Sequence, residues 1–235
     1  MIDWHNHVLP KMDDGSHSVA ESIAMMQAQA AQGVTTVIAT PHFYANDDSI
    51  ASFLERRTRS AALLREQLPE GMPTLRLGAE VQYYQGIGRL PGLTSLCIEG
   101  TRLLLLEMPF SRWSESMIRE VVELSGRDGI CLVLAHIDRY LSMQHRDVWL
   151  RLLDNGILMQ TNASFFTGFT TRRKALSLLK EGYVHVLGSD CHNMTSRPPQ
   201  IGKALAVIHK RFGPDYLCQI NEYGYSLLNM SHNPL

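Results

Sequence analysis

Seven short apolar runs of β character alternate with helical segments along the 235-residue chain, and this alternation restricts the fold more than any other feature. The runs lie at 2–5 (IDWH), 34–39 (VTTVIA), 74–81 (TLRLGAEV), 102–107 (RLLLLE), 130–135 (ICLVLA), 157–161 (ILMQT) and 183–188 (YVHVLG). Helices are predicted near 18–32, 50–67, 114–127, 145–155, 170–181 and 199–211, with a last one near 222–230. Segment 18–32 opens with Ser18-x-x-Glu21, a capping box that satisfies amides of the first helical turn, and stops at Gly33, as a helix C-terminus should. Strands separated by helices form βαβ units, which makes neighbouring strands parallel. Seven such units predict a closed or nearly closed barrel. No low-complexity linker or shift of composition divides the chain, so residues 1–235 are read as a single domain.

Composition removes several classes of function. Hydrophobic residues make up 45%, enough for a substantial core, while Lys+Arg (22) and Asp+Glu (23) nearly cancel. A balanced chain is not a nucleic-acid platform held by bulk charge, and the longest basic run, Arg172-Arg173-Lys174, is short. Cys97, Cys131, Cys191 and Cys218 lack C-x-x-C spacing, which predicts a reduced, cytoplasmic protein. No basic and apolar leader precedes His5 and no stretch of 18 apolar residues occurs, so neither a signal peptide nor membrane insertion is expected.

The polar residues at the strand ends carry the chemistry. The first strand runs into His5-Asn6-His7, and Asp13-Asp14-Gly15 follows within one loop. Side chains at i and i+2 of a strand share a face, roughly 6–7 Å apart at Cα, close enough for two imidazoles to hold one ion. His5 and His7, His42, Glu80, Glu107, His136 and the Asp190/His192 pair each sit at or just past the C-terminal end of a predicted strand. In a β/α barrel that rim is where active sites are built. Nitrogen and carboxylate donors without thiolate suit Mn²⁺, Fe²⁺ or Zn²⁺ rather than a structural cysteine site. So many donors exceed the needs of one ion and imply two or three, an arrangement suited to phosphoryl transfer.

The strings MIDWHNHVLPKMDDG (1–15), ATPH (39–42), GAEV (78–81), LLEM (105–108), AHIDRY (135–140) and GSDCHNMTSRPP (188–199) resemble the PHP (polymerase and histidinol phosphatase) superfamily. Within it they resemble the bacterial manganese-dependent protein-tyrosine phosphatases of capsule and exopolysaccharide operons, in order from residue 1 to about 230. The resemblance implies a distorted (β/α)7 TIM-like barrel with three metal ions, Mn²⁺ first and Fe or Zn as alternatives. It implies His5, His7, Asp14, His42, Glu80, Glu107, His136, Asp190 and His192 as ligands, with Glu80 bridging and with Asp13 as the alternative to its neighbour Asp14. It implies Arg139 and Arg197 as the phosphate-binding arginines, a role suited to the guanidinium fork; the alternative for Arg139 is a surface pair with Asp138. The implied reaction is direct hydrolysis of phosphotyrosine by a metal-bridging hydroxide. The implied substrate is the tyrosine-rich tail of a membrane-associated tyrosine kinase. A small-molecule phosphatase of the histidinol-phosphatase type and a non-catalytic metal-stabilised scaffold are the rival readings.

Cys191 and Arg197 also have the C-x5-R spacing of cysteine-dependent phosphatases. The intervening loop lacks the glycines that such a phosphate cradle needs, and strand alternation points Cys191 away from Asp190 and His192. A covalent cysteine mechanism is therefore not expected. His17, His145, His209 and His232 fall on loops or helices, and His185 reads as a hydrogen-bonded strand residue. Trp4, Phe43, Tyr44 and Phe165 are near the rim in sequence, where packing is the commoner role for an aromatic.

Overall fold

The computed structural model describes residues 1–127 and 129–229. Its strands are β1 (Ile2–Asn6), β2 (Thr36–Ala39), β3 (His42–Phe43), β4 (Thr74–Leu77), β5 (Glu80–Gln82), β6 (Leu103–Glu107), β7 (Cys131–Leu134), β8 (Leu158–Asn162) and β9 (Val186–Gly188). The helices are α1 (Val19–Ala30), α2 (Ile50–Gln67), α3 (Glu115–Ser125), α4 (Arg146–Asp154), α5 (Ala163–Thr167), α6 (Arg172–Lys180), α7 (Ile201–Phe212) and α8 (Pro214–Asn229). Every strand pairing is parallel, in the orders β1-β2-β4 and β3-β5-β6-β7-β8-β9.

The sheet curls until its ends meet. Asp190 N donates to His5 O (2.8 Å) and His7 N to Cys191 O (3.0 Å), so the chain leaving β9 lies beside the end of β1. Two predicted strands are broken. The run 34–39 resumes as β3 after Pro41, whose ring nitrogen has no hydrogen to donate to a ladder. The run 74–81 is split at Gly78 into β4 and β5. Pairing continues across both breaks, with Gly78 N donating to Ala39 O (2.8 Å) and Glu80 N to Pro41 O (3.0 Å). Helix α8 starts eight residues before the predicted 222, and residue 230 of that prediction, with His232, lies outside the described residues. The short helix α5 interrupts the predicted loop after 161.

Helix starts follow the sequence signals. Ser18, Ser49 and Ser114 accept from the amides of Glu21, Ser52 and Met117, capping α1, α2 and α3. In the capping box Glu21 reaches one residue further back, taking the amide of His17 (2.9 Å).

Strand alternation sorts the core into two layers. Leu104, Leu106, Leu132, Leu134 and Met159 pack toward the helices, whereas Leu103, Leu105, Val133, Leu158 and Val186 pack together on the other face with Ile2, Trp4 and Ile38. Helix α8 covers that second layer through Leu227 and Leu228. The same alternation places Glu107 above Leu105 and Gln160 above Leu158, so the apolar interior ends in a polar layer. On β1 the register slips between Asp3 and Asn6, and such a bulge re-aims side chains. Trp4 and His5, though consecutive, therefore both face inward. Among the described residues no helix is long and apolar enough to cross a membrane.

β9 approaches β1 closely because residue 188 has no side chain. A Cβ at Gly188 would lie 2.5 Å from His5 Cβ and 2.8 Å from Gln160 Nε2. Gly188→Ala is expected to destabilise the protein by about 2 kcal/mol through overpacking, read as a lower urea midpoint at unchanged slope.

Candidate metal centre

The strand ends bring the predicted donors together. His5 and His7 come from β1 and the residue after it, His42 and Glu80 open β3 and β5, Glu107 closes β6, His136 follows β7, and Asp190 and His192 follow β9. Their ligand atoms form three overlapping groups, each within 4.8 Å: His7, Asp14, His42 and His192; His5, His7 and Asp190; His42, Glu80 and Glu107. Glu80 is at the middle. Its Oε2 lies 3.0 Å from His42 Nδ1, 3.1 Å from His5 Nε2 and 3.3 Å from His7 Nε2, and its Oε1 lies 2.9 Å from His136 Nε2. His136 Nε2 is also 3.4 Å from Glu107 Oε1. Asp190 Oδ1 stands 3.6 Å from His5 Nε2 and 3.5 Å from His7 Nε2. Asp14 Oδ1 stands 3.6 Å from His42 Nε2 and 3.4 Å from His192 Nε2.

These donors fit divalent cations. Ligands bound at about 2.0–2.2 Å are spaced from one another by about the separations seen here. Glu80 Oε2 has three imidazole nitrogens around it yet accepts no directed hydrogen bond, and His42 Nδ1 and His192 Nε2 are buried without a partner. His5 Nε2 and His7 Nε2 face each other at 3.1 Å, where only one can carry a hydrogen. A buried polar atom without a partner costs about 1–3 kcal/mol, so a cluster of them aimed at common points is the pattern of a ligand set. Nitrogen and oxygen donors without sulfur match Mn²⁺, Fe²⁺ and Zn²⁺.

A second layer aims the imidazoles. Gln160 Oε1 accepts from His5 Nδ1 (3.2 Å) and from the amide of His136 (2.6 Å), leaving His5 Nε2 free to ligate. Asp13 Oδ2 accepts from His7 Nδ1 (2.7 Å) and His42 N (2.9 Å), and its Oδ1 from Gly15 N (2.9 Å). His192 Nδ1 donates to Asp190 O (3.0 Å). Such partners fix tautomer and ring orientation. Asp13 thus has its oxygens engaged, whereas Asp14, 68% exposed at its side chain, presents Oδ1 to two imidazoles. Gln160 and Asn162, which touch the predicted donors His5, His136 and Asp190, are not among the residues predicted from sequence. The available signal was two polar residues at i and i+2 ending an apolar strand, ILMQTN.

The charges are tightly coupled. Burial would raise the Glu80 carboxyl, but the facing imidazoles of His5, His136 and His42 hold it well below the usual range. Burial likewise opposes ionisation of Asp13, yet His7 and the amides of His42 and Gly15 hold it at about 2. His136 is driven the other way, to about 9, because its hydrogen bonds to Glu107 and Glu80 outweigh burial. His136 and Asp190 also adopt left-handed backbone angles, φ 29° and φ 52°, a cost that non-glycine residues bear mostly at functional sites.

Arg139 and Arg197 meet at Asp190. Arg139 Nη2 donates to Oδ2, and Arg197 Nη2 forms an ion pair with Oδ1 at 2.8 Å. The surface pair between Arg139 and Asp138 does not form; Asp138 instead accepts from Asn162 N (2.9 Å). Both guanidiniums are about one-third exposed, at 32% and 38%, so they stand at the mouth of the cluster.

Cys191 is a packed core residue. It is fully buried, its Sγ accepts from Asn6 Nδ2 (3.0 Å), and burial pushes its thiol far above the ordinary range. The loop amides that a phosphate cradle would use are taken by Asn193 Oδ1, which accepts from Thr195 N, Ser196 N and Arg197 N at 2.8–3.1 Å. The remaining residues fall as read. His185 Nδ1 accepts from Met159 N (3.0 Å) within the sheet. Trp4, Phe43 and Phe165 are core residues, and Tyr44 stacks on His42 with centroids 5.3 Å apart. A cavity of about 530 Å³ opens beside the cluster at Asp14, His42 and Tyr44. A larger one of about 790 Å³ lies apart from it, between α3 and the segment from Tyr83 to Arg89.

The profile of a family described as capsular polysaccharide synthesis, CpsB/CapC, matches residues 1–224. The tyrosine-protein phosphatase YwqE of Bacillus subtilis is 31% identical over 97% of this chain and 91% of its own length. The tyrosine-protein phosphatase CpsB of Streptococcus pneumoniae is 29% identical over 91% of each. A crystal structure from work on YwqE and CpsB, described as unique metal-dependent tyrosine phosphatases, superposes with a TM-score of 0.83 at 26% identity, covering 100% of this chain and 96% of that one.

Two expectations follow from this geometry. Asp13→Ala should weaken divalent-cation binding by roughly ten- to a hundredfold by releasing His7, measured by titration calorimetry. Iodoacetamide on the native protein should alkylate the exposed Cys218 while leaving Cys191 unmodified, measured by peptide mass mapping.

Proposed function

The chain belongs to the CpsB/CapC family of capsular polysaccharide synthesis, and we propose from this premise that it is a metal-dependent protein-tyrosine phosphatase. Its nine donors, His5, His7, Asp14, His42, Glu80, Glu107, His136, Asp190 and His192, hold three divalent cations, with manganese the first choice and iron or zinc the alternatives. The three overlapping donor groups support that number. The fold is read as a distorted (β/α)7 barrel of PHP type in one domain, supported by seven parallel strand tracks whose first and last members share backbone hydrogen bonds. The substrate is a phosphotyrosyl protein, read as the tyrosine-rich tail of a membrane-associated kinase, and the phosphatase works in the cytoplasm.

Bound divalent cations would supply a water activated near neutral pH and positive charge against the phosphoryl oxygens. The chain's own residues do the rest. Gln160, Asp13 and the Asp190 carbonyl orient His5, His7 and His192, so the donor atoms are preset. Arg139 and Arg197, at the mouth, grip the equatorial oxygens of the phosphate and stabilise charge that builds up there. Asp190 holds both guanidiniums in place until phosphate competes for them. Tyrosine leaves as a phenolate with an ordinary pKa near 10, so its departure needs no strong general acid. A cysteinyl-phosphate intermediate is disfavoured by the buried, high-pKa thiol of Cys191 and by the loop amides turned onto Asn193.

The observation that carries this reading is the buried Glu80 carboxylate, surrounded by imidazoles that do not hydrogen-bond to its Oε2. Hydrolysis of a phosphotyrosyl peptide should appear with added Mn²⁺ and vanish with a chelator. His136→Ala should lower kcat at least about 100-fold, and Cys191→Ser should retain most activity. A greater kcat/KM for histidinol phosphate than for the peptide would favour the small-molecule rival. Undiminished activity after complete metal removal would refute the mechanism.

A further inference from the structure

We propose that Phe110 is the platform on which the aromatic ring of the substrate stacks, and so the residue that makes this site prefer aryl to alkyl phosphate esters. Phe110 lies on the β6–α3 loop, three residues past the donor Glu107. It is 54% exposed, although a phenyl group gains from burial. Its ring is nearly parallel to that of His136, 6.1 Å away at an interplanar angle of 18°, and the Arg139 guanidinium carbon lies 5.6 Å from its centroid. The exposed ring therefore adjoins both a donor of the proposed metal cluster and a proposed phosphate clamp.

The loop is built to hold the ring there. Tyr140, fully buried, tilts against Phe110 at 5.4 Å and donates its hydroxyl to Met108 O (2.7 Å). Trp113 packs on Tyr140 at 5.2 Å and donates Nε1–H to Pro109 O (3.1 Å). Gln144 accepts from Trp113 N (3.1 Å) and donates to Ser111 O (2.8 Å). Backbone bonds on both sides of residue 110 thus fix a phenyl group toward solvent, and preorganised aromatic surface binds a flat ring at little entropic cost. Phe169 is a useful contrast. It is 99% exposed on the α5–α6 loop and, among the described residues, stacks on no site imidazole or guanidinium.

The chemistry of the ester gives the placement its meaning. A phosphate held by Arg139 and Arg197 has its leaving group one oxygen away from phosphorus. A phenyl leaving group then reaches the face of Phe110, where offset stacking is favourable, and a short alkyl group does not. This inference rests on the phosphatase reading above.

The test uses phenylphosphonate and methylphosphonate as competitive, non-hydrolysable inhibitors of p-nitrophenyl phosphate turnover by the Mn²⁺-loaded enzyme. Phe110→Ala should raise the Ki of phenylphosphonate roughly tenfold, the scale of one lost aromatic contact, while that of methylphosphonate stays within about twofold. Phe110→Tyr should restore the difference, and Phe169→Ala should leave both constants alone. Equal weakening of both inhibitors would show that Phe110 only shapes the phosphate site, and no change in either would place the ring elsewhere. A selective loss in Tyr44→Ala but not in Phe110→Ala would assign the platform to the ring on His42. Each of these overturns the proposal and leaves the phosphatase reading standing, whereas absence of p-nitrophenyl phosphate turnover by the unaltered Mn²⁺-loaded protein would overturn both.

Discussion

A carboxylate sealed from water among imidazoles organises this molecule. Glu80 is 1% exposed, and His5, His7, His42 and His136 all approach its two oxygens. An isolated buried carboxylate would cost many kcal/mol, so the site requires positive charge close by, and the elements around it are arranged to supply it. The break at Gly78 opens the strand immediately before Glu80. The register slip in β1 turns His5 inward, and the absent side chain at Gly188 lets β9 deliver Asp190 beside it.

Asp190 shows how closely charge is balanced at this rim. One oxygen faces His5 and His7 and is ion-paired with Arg197, while the other accepts from Arg139 and from Asn162 Nδ2 (2.8 Å). A single side chain thus links the donor cluster to both arginines at its mouth. Any anion that draws the guanidiniums away from Asp190 also changes the field at the imidazoles, so ligand capture and donor electrostatics are coupled through one residue.

Much of this was legible in the chain. The strand-and-helix alternation gave the parallel order, and apolar runs ending in His or carboxylate marked the rim, because strand alternation carries the apolar face straight up to a polar terminus: Leu103, Leu105, then Glu107. The packing of Cys191 followed from the same alternation. What periodicity cannot express was missed. The division of 74–81 at Gly78 depends on how the neighbouring strand bends at Pro41. The supporting role of Gln160 depends on two side chains from distant strands meeting at one amide. The importance of Phe110 is invisible in sequence, since a loop phenylalanine looks the same whether it packs inward or is propped toward solvent by Tyr140 and Trp113.

The seam between β1 and the segment after β9 bears on how the protein is made. His5 and His192 are separated by nearly the whole chain, yet backbone hydrogen bonds join their neighbourhoods. Non-local closure of this kind is slow and forms late. During synthesis the N-terminal strand must wait, with one edge unpaired, until residues near 190 emerge from the ribosome. Until then Asp190 and His192 are missing from the polar rim, and a nascent or truncated chain keeps an exposed strand edge, the surface most prone to aggregation.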